Sequence, residues 1–167
     1  MNKQSYVIAA FVENKSGVLM RVTSMFNRRG FNIDTLTVGE TESPEYSRIT
    51  LTFSGDQDDL HQLVTQLQKL YNVKKVEVIS AEIGIRRELL LIKVKNSSET
   101  RGDLRDAVDV FKAKIVDYSA EAMCLEVTGD STKIDNFIDN MKPFGIIEMC
   151  RTGIVALERG SESILSK

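Results

Sequence analysis

Hydrophobic and polar positions along this chain follow two periods, and these periods predict its strands and helices. Residues 6–12 form a short apolar run, and residues 47–53 carry apolar side chains at every second position, so both segments are predicted strands. Between them, apolar residues recur three and four positions apart, which predicts an amphipathic helix and then a strand over residues 31–38. Two arginines followed by Gly30 are typical of a helix C-terminus and mark the predicted end of this helix.

A second helix and a fourth strand complete this first set of elements. Leucine and valine recur at helical spacing over residues 60–70, and residues 73–80 are predicted to form a strand. The order strand, helix, strand, strand, helix, strand gives a four-stranded antiparallel sheet with both helices on one face. On the third strand we expect the apolar side chains to face the core, and Arg48, Thr50 and Thr52 to face outward.

The same order of elements recurs in the second half of the chain, about 80 residues later. The second set comprises strands at residues 88–95, 114–118, 123–127 and 146–150 and helices at residues 102–112 and 131–141. We therefore predict an α+β fold of two tandem βαββαβ domains, at residues 1–82 and 83–167, with a partly packed linker at residues 81–87. One face of each sheet lacks helices, and edge-to-edge pairing would extend the sheet, so we expect at least a homodimer.

Composition excludes several classes of function. The chain of 167 residues is 42% hydrophobic and 28% charged, which is ordinary for a folded globular protein. Its net charge of −2 is shared by both halves and does not favour nucleic-acid binding. No apolar stretch reaches the roughly 20 residues that a membrane span needs. The first residues contain only a short apolar run without a cleavage site, so we expect no signal peptide and a cytoplasmic protein.

Side chains that could perform catalysis or bind a metal are few. The single histidine, His61, lies in a polar helical segment, where an exposed residue is favoured over a catalytic or metal-binding one. Cys124 and Cys150 form no CxxC pair and lie in apolar runs, which favours buried structural thiols in a reducing compartment. There is no glycine-rich phosphate motif and no paired carboxylate cluster. The sequence therefore disfavours an enzyme.

The most informative segment is the turn of Asn14, Lys15, Ser16 and Gly17, here named the 14–17 turn, which precedes the first predicted helix. Helix starts leave backbone N–H groups without partners and carry partial positive charge, so they suit a carboxylate or a phosphate. The simpler interpretation is a helix cap, with Ser16 as the N-cap residue and Gly17 as the first helical residue.

A second interpretation of the 14–17 turn adds a bound small molecule. The N–H groups of Gly17, Val18 and Leu19 would bind its carboxylate, because they lie at the helix start. The side-chain amides of Asn14 and of Asn32, which is predicted to open the next strand, would serve the rest of a zwitterion as donors and acceptors. Both interpretations use the same N–H groups and are therefore compatible.

Five segments carry a resemblance to a known family, in this order: ENKSGVLMRVTSMFNRRGFNIDTLTVG, SRITLTFSGD, QLQKLYNVKKVEVIS, RRELLLIKV and MCRTGIVALERG. They resemble the small, regulatory subunit of acetohydroxyacid synthase, also called acetolactate synthase, and cover almost the whole chain. The resemblance implies that residues 1–82 are an ACT domain, a βαββαβ module that senses amino acids. It also implies that residues 83–167 form a second ferredoxin-like domain.

The resemblance implies regulation rather than catalysis. In that family the small subunit binds a catalytic (large) subunit, raises its activity and confers feedback inhibition by valine in branched-chain amino-acid biosynthesis, which makes valine and isoleucine. Valine is expected between two ACT domains of a homodimer, at positions matching Asn14, Gly17, Val18, Leu19 and Asn32. The resemblance implies no cofactor in this chain and places thiamin diphosphate, FAD and Mg²⁺ in the catalytic partner. The alternative is a free-standing ACT-domain amino-acid sensor that acts on another protein.

Three basic segments remain. The pairs Arg28-Arg29 and Arg86-Arg87 are predicted to be solvated rather than to bind phosphate. Residues 151–160 match the end of the family, and two alternatives stay open for them. They could contact the catalytic subunit, or they could fold back onto their own domain.

Overall fold

The structure, a computed structural model, describes residues 4–80, 82, 84–161 and 163–165. The chain divides into two compact units: unit 1 contains Met1–Ile85 and Ile154–Lys167, and unit 2 contains Arg86–Gly153. Each unit holds one antiparallel sheet and two helices in βαββαβ order, which confirms the predicted α+β fold. The ranges 1–82 and 83–167 as functional domains stay a prediction, although residues 154–167 group with unit 1.

Unit 1 begins with the predicted set of elements. They are β1 (Gln4–Glu13), α1 (Val18–Arg28), β2 (Thr35–Glu40), β3 (Tyr46–Gly55), α2 (Gln57–Gln68) and β4 (Val73–Ile79). The strands lie in the order β2-β3-β1-β4, and every neighbouring pair is antiparallel. The helices cover one face of this sheet, where α1 and α2 bury residues such as Phe26 and Leu63 against Ile8 and Leu51. This burial of apolar area is the main force that holds the unit together.

Two predicted boundaries in unit 1 are wrong. The helix begins at Val18 and not at Gly17, which is instead the N-cap residue. The second strand begins at Thr35 rather than at residue 31, because the chain first completes the end of α1: the N–H of Phe31 donates to the carbonyl of Phe26 at 3.1 Å, and Gly30 adopts a φ of +72°. This is the left-handed glycine ending that the sequence predicted at Gly30.

Unit 2 repeats the arrangement. Its elements are β5 (Gly84–Lys95), α3 (Arg101–Phe111), β6 (Lys114–Tyr118), β7 (Ala122–Gly129), α4 (Ser131–Met141), a 3₁₀ turn (Lys142–Phe144) and β8 (Ile146–Arg151). The strand order β6-β7-β5-β8 matches that of unit 1. Strand β5 already begins at Gly84, within the segment predicted as a linker, of which Ala81 and Ile83 lie outside the described residues.

A short strand that the sequence analysis missed, β9 (Val155–Glu158), pairs with β5, and its residues group with unit 1, as do the first two residues of β5. The sheet face without helices carries Val7, Ala9 and Phe11, and these residues are buried together with Ala156 and Ile164 from the returning segment. The described residues after Gly153 therefore fold back onto unit 1, and not onto their own domain at residues 83–167, which was one of the two predicted alternatives. Contact with the catalytic subunit stays a prediction. Thr50 and Thr52 face away from the helices, as predicted, although both are buried.

Candidate functional site

The 14–17 turn connects β1 to α1 and leaves the start of the helix open. Gly17 adopts φ +81° and ψ −9°, a left-handed conformation that glycine reaches without steric cost, and no side chain caps the helix. Ser16 is therefore not the N-cap residue, contrary to the simpler interpretation. A Cβ atom added at Gly17 would meet no heavy atom within 4 Å, so the space beside the helix start is free.

The backbone donors at this helix start differ in their bonding. The N–H of Val18 points to the carbonyl of Lys15 at 3.3 Å, whereas the N–H groups of Gly17 and Leu19 have no acceptor within the described part of the chain. The first turn of α1 contains no acidic residue, so its partial positive charge is not balanced by a carboxylate on the helix. The side chain of Val18 is buried in the core, while that of Leu19 is 40% exposed. Val18 can therefore serve a ligand only through its backbone.

Asn14 is exposed, and its side chain is held by two hydrogen bonds. Its Nδ2 donates to Glu40 Oε1 at 3.0 Å and to the carbonyl of Pro44 at 3.0 Å. Its side-chain oxygen accepts no hydrogen bond from the residues that the structure describes, and it remains an acceptor for an ammonium group. An open groove of about 360 Å³ lies beside it, lined by Glu13, Asn14, Lys15, Glu45 and Tyr46.

Asn32 lies in the connection before β2 rather than in the strand. It is exposed, and its Nδ2 donates to Asp34 Oδ1 at 3.1 Å. No hydrogen bond among the described residues joins Asn32 to the 14–17 turn. The structure thus brings Asn14, Gly17, Val18 and Leu19 together by sequence adjacency, while the part of Asn32 in the same site stays a prediction.

A polar network that the sequence analysis missed surrounds the turn. Glu13, the last residue of β1, pairs with Lys74 at 2.6 Å and Lys15 at 3.0 Å and accepts a hydrogen bond from Asn72 at 2.7 Å. These hydrogen bonds lower the pKa of Glu13 to about 2, and the one from Lys74 has the largest effect. Asn72 also accepts a hydrogen bond from Arg21 Nη1 at 2.9 Å. No local spacing could have revealed this network, because Asn72 is distant in sequence from the turn.

Three other residues considered from the sequence, His61, Cys124 and Cys150, differ in their exposure to solvent. His61 is exposed on α2, as predicted. Cys124 is half-buried and Cys150 is exposed, and both are free thiols, so the predicted burial of Cys150 is wrong. The reason is that β8 lies at the edge of the sheet of unit 2, where most of its side chains are exposed.

Arg151, also on β8, binds within unit 2. It forms a two-pronged ion pair with the buried carboxylate of Glu88 and donates to Asp135 Oδ1 at 2.7 Å. Burial raises the pKa of Glu88, but hydrogen bonds from Arg151 and from Ser131 at 2.5 Å outweigh it and hold this pKa below its ordinary value. A buried ion pair of this kind fixes the strand end rather than offering a free cation.

Among the residues that the structure describes, no group of three or more His, Cys, Asp or Glu side chains is placed to hold a metal ion. None of the helices formed by these residues is long and apolar enough to span a membrane.

Two βαββαβ units, the first with an open helix start after β1, define an α+β protein of the ACT-domain class. Residues 8–75 match the family model described as the AHAS small subunit-like ACT domain, and residues 87–160 match that described as the small subunit of acetolactate synthase. The chain therefore belongs to the acetolactate synthase small-subunit family.

Similar proteins agree with this assignment over nearly the whole chain. The probable acetolactate synthase small subunit of Methanothermobacter thermautotrophicus is 44% identical and is covered over 98% of both chains. The acetolactate synthase small subunit of Mycolicibacterium smegmatis is 41% identical over 96% of this chain and 94% of its own. The crystal structure of the acetolactate synthase small subunit from Thermotoga maritima superposes with a TM-score of 0.88 at 37% identity, covering 95% of this chain and 99% of that one.

Proposed function

We propose that this chain is a regulatory subunit that binds the catalytic (large) subunit of acetolactate synthase, raises its activity and makes it sensitive to valine. The names of its relatives support a catalytic partner, because a small subunit implies a larger one. We expect this complex in the cytoplasm, with thiamin diphosphate, FAD and Mg²⁺ held by the catalytic subunit.

The open start of α1 is the observation that carries the sensing role. The N–H groups of Gly17 and Leu19 lack acceptors among the described residues, and no acidic residue in the first turn competes for the dipole. A valine carboxylate fits such a start, and the free side-chain oxygen of Asn14 suits the ammonium group. The amide of Asn32 would complete the polar contacts, and the exposed side chain of Leu19 would border the isopropyl group.

A second copy of the chain would complete the site. Strand β2 lies at the edge of the sheet of unit 1, with Val38 exposed, so pairing of two ACT domains there would remove an unpaired edge. Valine between the two domains would then shift the complex between two arrangements, by binding one of them more tightly. Sedimentation at micromolar concentration should show a dimer, and a single species of monomer mass would contradict this arrangement.

Reconstitution with the purified catalytic subunit tests the proposed function. Adding this chain should raise acetolactate formation, and valine should then lower it only when the chain is present. If the chain changes neither quantity but still binds valine in calorimetry, the free-standing amino-acid sensor is the correct alternative. If it neither binds valine nor affects the catalytic subunit, both hypotheses fail.

A further inference from the structure

The two ends of the 14–17 turn are tied to one residue from elsewhere in unit 1. The backbone carbonyl of Asn72, in the connection between α2 and β4, accepts a hydrogen bond from the N–H of Glu13 at 2.9 Å. Its side-chain Nδ2 donates to the carboxylate of Glu13 at 2.7 Å. Its Oδ1 accepts from Arg21 Nη1 at 2.9 Å. Asn72 thus holds the end of β1 with two groups and the first turn of α1 with a third.

This arrangement has the properties of a rigid support. Asn72 is buried, so breaking any of its bonds would leave a polar group without water or a partner. The carboxylate of Glu13 stays ionised well below neutral pH, since its pKa is about 2, and it keeps its bond to Asn72 in that charge state. The N–H of Arg21 also donates to the carbonyl of Gly17 at 3.1 Å, so the residue that reaches Asn72 is the one that closes the first helical turn.

We propose that Asn72 and Arg21 are positioning residues, which fix the direction of the open N–H groups at the start of α1 and thereby set the affinity for valine. They act through the turn, since the hydrogen bonds of Asn72 go to Glu13 and Arg21. This inference rests on the proposed function, because it concerns the same ligand. It adds a residue from a distant part of the sequence to a site otherwise built from residues 14–32.

A double-mutant cycle in the full-length chain tests the proposal, with valine binding measured by calorimetry and folding by the thermal midpoint. Arg21→Met leaves Asn72 Oδ1 without its partner but keeps the bonds to Glu13, so its midpoint should fall by only a few degrees, and valine binding is measured well below that midpoint. Its affinity for valine should fall about tenfold, as expected for loss of one charged hydrogen bond that orders the site. Arg28→Met is the control, because Arg28 lies on the same helix in its last turn, and it should bind valine like the wild type.

Asn72→Ala should weaken valine binding at least as much as Arg21→Met, and the double variant should be no weaker than Asn72→Ala alone. Such non-additivity is expected when two residues act through one contact. Additive losses would mean that Arg21 contacts valine directly, and unchanged affinity in Arg21→Met would mean that the turn needs no support; either overturns the proposal. If the wild type itself gives no valine signal, the proposed function fails first, and the inference falls with it.

Discussion

The two units place the same connection, from the first strand to the first helix, in opposite states. In unit 1 the 14–17 turn ends in a left-handed Gly17, has an exposed Asn14 and leaves helix donors open. In unit 2 the matching asparagine, Asn96, is buried; it donates to the carbonyl of Ser119 at 2.6 Å and accepts from Arg101 Nε at 3.1 Å. The two asparagines are similar, but the side chain of Asn96 is hydrogen-bonded within the fold through both its nitrogen and its oxygen.

The charge at the two helix starts differs in the same sense. Helix α3 has Asp103 in its first turn, and the N–H of its N-cap residue Thr100 donates to Ser97 Oγ at 3.3 Å. Helix α1 has no acidic residue in its first turn, and neither helix has a side-chain cap hydrogen bond. Asp103 offsets the partial positive charge at the start of α3, so the start of α1 suits an anion better than the matching start in unit 2.

The largest effect should come from placing a carboxylate at the open helix start. Gly17→Asp puts a negative charge beside the N–H groups, and aspartate tolerates the left-handed conformation better than most residues. Repulsion of a valine carboxylate should weaken binding at least about a hundredfold, since like charges brought together cost several kcal/mol. Calorimetry with valine measures this loss directly.

Two variants control for other effects of this substitution. Gly17→Asn has nearly the same shape without the charge and should keep most of the affinity. Ser98→Asp adds a carboxylate to the exposed turn before α3 and should leave valine binding unchanged, because unit 2 has no open site there. An unaffected Gly17→Asp variant would remove the basis for assigning the ligand to unit 1.

A second difference between the units concerns the sheet face without helices. In unit 1 it is apolar and covered, with Ile164 only 8% exposed, whereas in unit 2 it carries the exposed ion pair of Lys93 and Glu148 at 3.7 Å. Ile164→Ala should therefore lower the free energy of unfolding by about 2 kcal/mol, the lower end for a large-to-small change in a core. The neighbouring Leu165, which is 53% exposed, is the matched control, and Leu165→Ala should cost less than about 0.5 kcal/mol. Urea unfolding distinguishes the two, and equal losses would mean that the cover contributes nothing.

Sequence periods predicted what depends on local spacing, and missed what depends on long-range contacts. The alternation over residues 47–53 and the helical spacing of α1 fixed the core faces, because burial of apolar area decides both. The left-handed cap at Gly17 could not be separated from an ordinary first helical residue, since glycine suits either. Strand β9 is only four residues long, and its Ala156 is buried against Val7 and Phe11, which lie far earlier in the chain. Asn72 carried no local signal for the same reason.

Replacing the two matching asparagines should separate stability from sensing. Asn96→Ala leaves the carbonyl of Ser119 and a guanidinium nitrogen of Arg101 without their partner and should destabilise the protein by about 1–2 kcal/mol. Asn14→Ala removes an exposed side chain and should change stability by less than about 0.5 kcal/mol, yet weaken the response to valine. Thermal unfolding should detect the loss of stability in Asn96→Ala, and valine titration should detect the weaker response in Asn14→Ala. A loss of valine binding in Asn96→Ala at temperatures where it is fully folded would show that the site is not confined to unit 1.

The smallest effect is a pH dependence from Glu13, which sits at the base of the open turn. Its pKa falls from the ordinary 4.5 to about 2 on folding, because the carboxylate accepts hydrogen bonds from Lys74, Lys15 and Asn72. A carboxyl group whose pKa is lowered stabilises the fold fully above pH 4.5 and loses that contribution as the pH falls towards 2. The difference in unfolding midpoint between the wild type and Glu13→Gln should therefore be constant at neutral pH and disappear over this acid range.

Salt should reduce the midpoint difference caused by Glu13→Gln more than the one caused by Glu88→Gln. The reason is that Glu13 and its two lysine partners are more exposed than Glu88 and Arg151. If the midpoint difference between the wild type and Glu13→Gln changes with neither pH nor salt, Glu13 contributes through its packing and not through its charge.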